Sequence, residues 1–293
     1  MTLDAYFRYC MRHRRVYDPS RRPDYRAMRS FTATPVPEDL TLEETERAGV
    51  PGEWIRKKGR RSSAVIMFIH GGSFTHLDKG SDRAGCFYLA SDTSCDVYNT
   101  NYALAPEHPF PEGLTDCFNV YRALAEETGA SNIVLMGESA GGTLALGLCH
   151  MAKKHGISLP RAIVLFSPPV ECDRDLPSHS ANSATDCIVS NHLLEARCEY
   201  YQTEDPAVLG TPEASPLYGD FTGFPPTMVF ASDTEVLRDD AVLLEKEMKA
   251  KGVVCTIELG HGMVHVYPLL VGIPECRAAM DRAVAFINGA ISN

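Results

Sequence analysis

Short apolar runs alternate with helix-like stretches along most of this chain. Ala64-Val65-Ile66-Met67-Phe68-Ile69, Ile133-Val134-Leu135-Met136, Ala162-Ile163-Val164-Leu165-Phe166, Thr227-Met228-Val229-Phe230 and Val253-Val254-Cys255-Thr256-Ile257 show no polar alternation, and Cys95-Asp96-Val97-Tyr98-Asn99 belongs with them. A strand wetted on one face alternates, whereas a run that is apolar throughout is covered on both faces. Residues 113–128, 140–155, 239–251 and 274–291 read as helices between and after these runs. In the last of them Cys276, Met280, Ala283, Ile287 and Ile291 recur at helical spacing and form an inward stripe. Strand and helix in turn predict an α/β protein with a mostly parallel central sheet flanked by helices.

Two segments break the alternation. Residues 1 to 50 are charged and helix-prone, and Pro35, Pro37 and Pro51 mark their end. Residues 168 to 224 separate two sheet strands by more than a crossover needs, and they end at Pro225-Pro226. This insertion holds a helix candidate over 191–201. Long insertions after sheet strands often build lids. The expected organisation is therefore an N-terminal cap segment, 1–50, and a catalytic domain, 51–293, with 168–224 as a cap insertion. Tyr6, Phe7, His192, Tyr200 and Tyr201 are candidates to line the space below the cap, although an aromatic in an amphipathic helix is more often core.

Composition narrows the class. Of 293 residues, 44% are apolar and 23% charged, which is ordinary for a globular chain with a sizeable core. The formal net charge of −10 disfavours nucleic acid and anionic membranes as partners. Arg12-His13-Arg14-Arg15 with Arg21-Arg22 is a local exception that reads as a solvated helix face. The 10 cysteines form no C-x-x-C pair, so zinc and thioredoxin-like chemistry are weak readings. No run approaches a membrane span and the N-terminus has no apolar signal core, so the expectation is a cytoplasmic protein with reduced thiols.

The chemistry is concentrated at Gly137-Glu138-Ser139-Ala140-Gly141-Gly142, between an apolar run and a helix. Strand, sharp turn and helix are the setting in which a Gly-x-Ser-x-Gly elbow exposes a nucleophilic serine. So tight a bend leaves no space for a Cβ two positions from the serine, and glycine has none. Ser139 would stand at a helix N-terminus, where N–H groups favour developing negative charge. Short Gly/Ser strings in loops are commonly inert, and the flanking elements set this one apart.

A nucleophilic serine needs a base, an acid to orient the base, and donors for the oxyanion. On a sheet of this kind the chain order is serine, acid, histidine. The loop 260–268 offers His261 and His265 as bases, and spacing leaves both open. The loop after Phe230 offers Asp233 and Glu235 as acids, also open on physical grounds; Asp239 and Asp240 suit the first turn of the next helix. Gly71, Gly72 and Ser73 follow the first apolar run and, with the N–H of Ala140, are the oxyanion candidates. His70 reads as a hydrogen-bonding strut for that loop.

Together these residues resemble the hormone-sensitive-lipase-like branch of the α/β-hydrolases, the bacterial family IV carboxylesterases. The resemblance is carried by His70-Gly71-Gly72-Ser73-Phe74, by Asn101-Tyr102-Ala103-Leu104-Ala105-Pro106-Glu107-His108-Pro109-Phe110-Pro111, by the elbow, and by Met263-Val264-His265-Val266-Tyr267-Pro268. The long Pro-rich block is the most specific, since nothing in catalysis requires it. The match runs from about residue 50 to the end. It implies an α/β-hydrolase fold with a helical cap, and a serine carboxylesterase that cleaves small, short-acyl-chain esters through an acyl-enzyme. It selects His265, which precedes Val-x-Pro, and Glu235, which precedes Leu-x-Asp-Asp. It implies no metal or organic cofactor, a small-molecule ester as partner, and a homodimer through 253–259 and 274–291. A deacetylase, an amidase or formamidase, or a non-catalytic ligand-binding member are the alternatives on the same scaffold. The sequence departs from the common pattern in two places: Glu235-Val236-Leu237 stands for Asp-Pro-Leu, and Ser73 stands for a third glycine. Glutamate is one methylene longer than aspartate, so its loop should sit further back.

Overall fold

A computed structural model describes residues 2–13, 34–189, 199–203 and 205–292. The strands are β1 (Leu40–Arg47), β2 (Val50–Lys57), β3 (Val65–Ile69), β4 (Asp96–Thr100), β5 (Ile133–Glu138), β6 (Ala162–Phe166), β7 (Thr227–Ser232) and β8 (Cys255–Gly260). They form one sheet in the order β1-β2-β4-β3-β5-β6-β7-β8. From β4 to β8 all neighbours are parallel, while β1 and β2 are antiparallel. The helices are α1 (Leu3–His13), α2 (Lys79–Asp92), α3 (Glu112–Thr128), α4 (Ala140–Lys154), α5 (Pro177–Ala181), α6 (Pro206–Leu209), α7 (Arg238–Ala250) and α8 (Pro274–Ser292).

The central strands are apolar throughout because they feed two cores. Successive side chains of a strand point to opposite faces. Val65, Met67, Ile69, Leu135, Ile163 and Leu165 join one cluster, with residues of α3, α4 and α7. Ile66, Phe68, Val134, Met136, Val164 and Phe166 join the other, with residues of α2 and α8. In α8 the buried positions include Cys276, Met280, Ala283 and Ile287, four members of the stripe read from the sequence. Parallel pairing puts the carboxyl ends of β3, β5, β6, β7 and β8 on one rim, where ligands of open α/β sheets bind.

Two expectations need correction, and one helix is added to the pattern. Residues 40–50 are not part of a helix-prone lead-in: they form β1 and the turn of a β1–β2 hairpin, so the boundary at residue 50 falls inside paired structure. Glu43, Glu44 and Glu46 are exposed on β1, which makes the segment read as polar. The signal was the turn, where Ala48 and Gly49 take φ of 51° and 80°, the left-handed pair of a type I′ hairpin. Helix α2 had no counterpart in the pattern reading. Strand β8 begins at Cys255, not Val253, because the Val253 N–H still bonds to the Met248 carbonyl (3.0 Å) at the end of α7.

The lead-in and the insertion meet on the face lined by α8. Leu3, Tyr6, Phe7 and Cys10 of α1 pack against the cluster that holds Cys187, Ile273 and Cys276. The Arg14-Arg15 and Arg21-Arg22 positions and most of the 191–201 helix candidate, His192 included, lie outside the described residues. Tyr200 and Tyr201 are core: the Tyr200 ring stacks on Phe74 with centroids 3.9 Å apart, and the Tyr201 hydroxyl donates to the Ala214 carbonyl (2.8 Å). Among the described residues no helix is long and apolar enough to cross a membrane.

Candidate active site

Ser139 sits where β5 ends and α4 begins, with φ 50° and ψ −125°. Its N–H donates to the Phe166 carbonyl (2.7 Å) and its carbonyl accepts from the Gly142 N–H (2.8 Å), which pins the bend on both sides. This conformation is strained for a residue with a Cβ. The clearance around it is equally restricted: a Cβ on Gly137 would strike the Gly141 carbonyl, and one on Gly141 would strike the carbonyls of Ile69 and His70. Glycine at these positions follows from close backbone approach.

The structure brings Ser139, His265 and Glu235 into one hydrogen-bonded line. His265 Nε2 lies 2.9 Å from Ser139 Oγ, and His265 Nδ1 lies 2.6 Å from Glu235 Oε2. A carboxylate only accepts, so Nδ1 carries the proton and Nε2 is left to accept from the serine hydroxyl. His265 is 5% exposed and Glu235 1%. The other carboxylate oxygen accepts from the Ser232 N–H (2.7 Å) and the Ser167 hydroxyl (2.8 Å). Ser167 Oγ in turn accepts from the Val266 N–H (3.0 Å), which ties the acid to the histidine loop. Pattern reading missed Ser167; its signal is its place directly after β6.

Asp233 and His261 form a separate pair. His261 Nδ1 lies 2.6 Å from Asp233 Oδ2, and Oδ1 accepts from the Gly262 N–H (2.8 Å). Burial pushes the Asp233 pKa up, but these donors outweigh it and hold the carboxyl below its ordinary value. The His261 side chain is 97% exposed, so this pair lies in solvent and does not enter the line through Ser139. Each candidate acid therefore has its own histidine.

The loop after β3 is held by its neighbours. The Gly71 N–H donates to the Glu138 carboxylate, so this amide shapes the loop. Burial raises the Glu138 pKa. The Tyr102 hydroxyl lies 3.0 Å from the His70 carbonyl and 3.1 Å from that of Gly71. His70 stacks on Tyr102 (4.2 Å between centroids), and its Nδ1 lies 2.9 Å from the Gly71 carbonyl. Burial lowers the His70 pKa to about 4, which keeps it a neutral strut. The turn bonds of the loop run from Thr75 and His76 N–H to the Gly72 carbonyl (3.0 and 3.1 Å) and leave the amides of Gly72 and Ser73 outside them. Gly72, Ser73 and Phe74 all take positive φ (87°, 55° and 62°), so Ser73 holds a conformation that glycine would adopt without strain. Glu138 and Tyr102, which fix this loop, were not assigned roles from the pattern, although both lie inside recognisable motifs.

Comparison with known proteins completes the picture. The α/β-hydrolase-fold family matches residues 66–269. An esterase of Acinetobacter venetianus is 33% identical over 241 residues, 82% of this chain and 79% of that protein. The crystal structure of an esterase from the bacterial hormone-sensitive lipase family, 31% identical, superposes with a TM-score of 0.88 over 99% of this chain and 98% of that one. The chain belongs to the hormone-sensitive-lipase-like esterases of the α/β-hydrolase fold. An acetyl-hydrolase of Streptomyces hygroscopicus is 32% identical to this esterase over 244 residues, 81% of this chain and 79% of that protein.

Electrostatics at His265 gives a pH dependence. Burial alone lowers its pKa; the hydrogen bond and charge of Glu235, with the charges of Asp186 and Glu138, more than offset this and raise it above the ordinary 6.5. Only the neutral imidazole can accept the serine proton. A raised pKa therefore moves the loss of activity upward: kcat/KM on a neutral ester should fall on acidification with an apparent pKa above that of free histidine. A rate-pH profile of the uncomplexed enzyme checks this, and an acid limb at or below 6.5 would contradict it.

Proposed function

We propose that this carboxylic ester hydrolase cleaves small esters with short acyl chains through a covalent intermediate on Ser139. His265 takes the Ser139 proton as Oγ attacks the carbonyl carbon. Glu235 holds the imidazole tautomer and stabilises the imidazolium that forms. The N–H groups of Gly72, Ser73 and Ala140 receive the oxyanion, and a donor of this kind is worth about 3 kcal/mol in the transition state. The alcohol leaves with the proton from His265. Water, deprotonated by the same imidazole, then releases the acid and restores the serine.

The observation that carries this reading is the continuous line from Glu235 through His265 to Ser139. The preference for short chains draws support from the relative named an acetyl-hydrolase. Among the described residues, helix α1 and residues 168–189 and 205–224 of the insertion are the proposed cover of the site and set substrate choice. The test is a series of p-nitrophenyl esters from acetyl to decanoyl, with p-nitroacetanilide as the amide. Expected are the highest kcat/KM at the short end, little amide turnover, and a covalent adduct on Ser139 after treatment with a fluorophosphonate. Preference for decanoyl, or an adduct on another residue, would overturn the proposal.

A further inference from the structure

The loop that carries Glu235 is held from outside its own strand. Asn182, in the insertion between β6 and β7, donates from Nδ2 to the carbonyls of Asp233 (3.1 Å) and Glu235 (2.8 Å). The buried Asp186 accepts the Val236 N–H on Oδ2 (3.0 Å). Its Oδ1 accepts from the N–H groups of Ile188 and Val189, both at 2.8 Å. The Ser178 hydroxyl donates to the Val236 carbonyl (2.5 Å). These bonds attach three peptide groups of the acid loop to one stretch of the insertion.

That attachment continues into α7. His179 Nε2 lies 2.7 Å from Asp240 Oδ2, and Asp240 Oδ1 accepts from the N–H groups of Val170 (2.9 Å) and Glu171 (3.3 Å). Asp239 accepts from the Ser178 N–H (2.9 Å). Asp239 and Asp240 therefore do more than complement the start of a helix: they fasten the insertion to the elements after β7.

We propose that Asn182 and Asp186 are positioning residues that set the depth of the Glu235 carboxylate relative to His265. The proposal rests on the reading that Glu235 is the triad acid. A glutamate needs its backbone set back by about the length of one methylene, and a misplacement on the order of 1 Å can cost a hundredfold in rate. Ser232 and Ser167 aim the carboxylate head, but the backbone behind it is anchored by Asn182 and Asp186. Asp186 also acts on His265 directly, since its charge favours the imidazolium. The same insertion that covers the site in the proposed function thus also tunes its acid.

The test uses full-length Asn182→Ala, Asp186→Asn and Glu235→Gln enzymes, each checked for folding by thermal unfolding. For the first two, kcat on p-nitrophenyl acetate should fall by about tenfold to a hundredfold with KM within about twofold. The low-field proton resonance of His265 Nδ1–H should move or broaden in both, a signature that a distant packing defect would not produce. Should Asn182→Ala not fold, Asp186→Asn carries the test under the same criteria. A collapse of Glu235→Gln alongside wild-type kcat and resonance in the other two would overturn the positioning role. A rise in KM alone would also overturn it. Wild-type turnover in Glu235→Gln would instead remove the triad reading beneath the proposal.

Discussion

With Ser139 replaced by alanine, p-nitrophenyl acetate turnover is expected to fall by on the order of a millionfold in kcat while the protein stays folded. The substitution removes one oxygen and leaves the backbone bend to the same neighbours: the Ser139 N–H bond to Phe166 and the Gly142 N–H bond to the residue 139 carbonyl need no side chain. His265 Nε2 then has no hydroxyl to deprotonate at 2.9 Å. What remains is oxyanion stabilisation and substrate binding, which still exceed the uncatalysed reaction. Steady-state kinetics with an unchanged thermal transition checks the result. Turnover within tenfold of wild type would mean that another group performs the attack.

Glu235→Gln is expected to cost about ten-thousandfold in kcat, against a change of no more than about twofold for Asp233→Asn. The contrast follows from what each carboxylate meets. Glu235 accepts on both oxygens, from His265 Nδ1 on one side and from the Ser232 N–H and Ser167 hydroxyl on the other. A buried amide must turn its NH2 toward one of these donors, leaving two donors face to face. If it faces His265, the imidazole proton moves to Nε2 and the base can no longer accept from serine. Asp233 pairs with a fully exposed histidine, and surface pairs contribute about 0–1 kcal/mol to stability. Parallel kinetics of the two variants separates the candidates, and a larger loss in Asp233→Asn would reverse the assignment.

How much of this was legible depends on the kind of signal. The central strands were legible because burial on both faces leaves uniform apolar runs, and their positions agree with the pattern to within a few residues. The elbow was legible because a bend with no space for a Cβ forces glycine at Gly137 and Gly141. The β1–β2 hairpin was not, because one strand is an exposed edge and its turn uses Ala48-Gly49 instead of the usual Asn-Gly. Helix α2 buries Cys86, Phe87, Leu89 and Ala90, a face too mixed with polar residues to show a clean stripe. The choice between Asp233 and Glu235 was closed in sequence only by family resemblance, since both follow β7 and both find a histidine. Asn182 and Asp186 could not be found at all from spacing. They act through backbone groups far away in sequence, and backbone carries no residue code.

The two borders of the sheet differ in a way that bears on self-assembly. Along β1 the exposed Glu43, Glu44 and Glu46 would meet their own like charges if a second molecule tried to pair there. Along β8 the outward positions include Leu259, 41% exposed, with Val254 just before the strand at 69%. Strand-to-strand association of two molecules thus has one hospitable border, and identical borders meeting about a twofold axis would run antiparallel. The product would be a single sheet of twice the width, with the two Ser139 rims facing opposite ways.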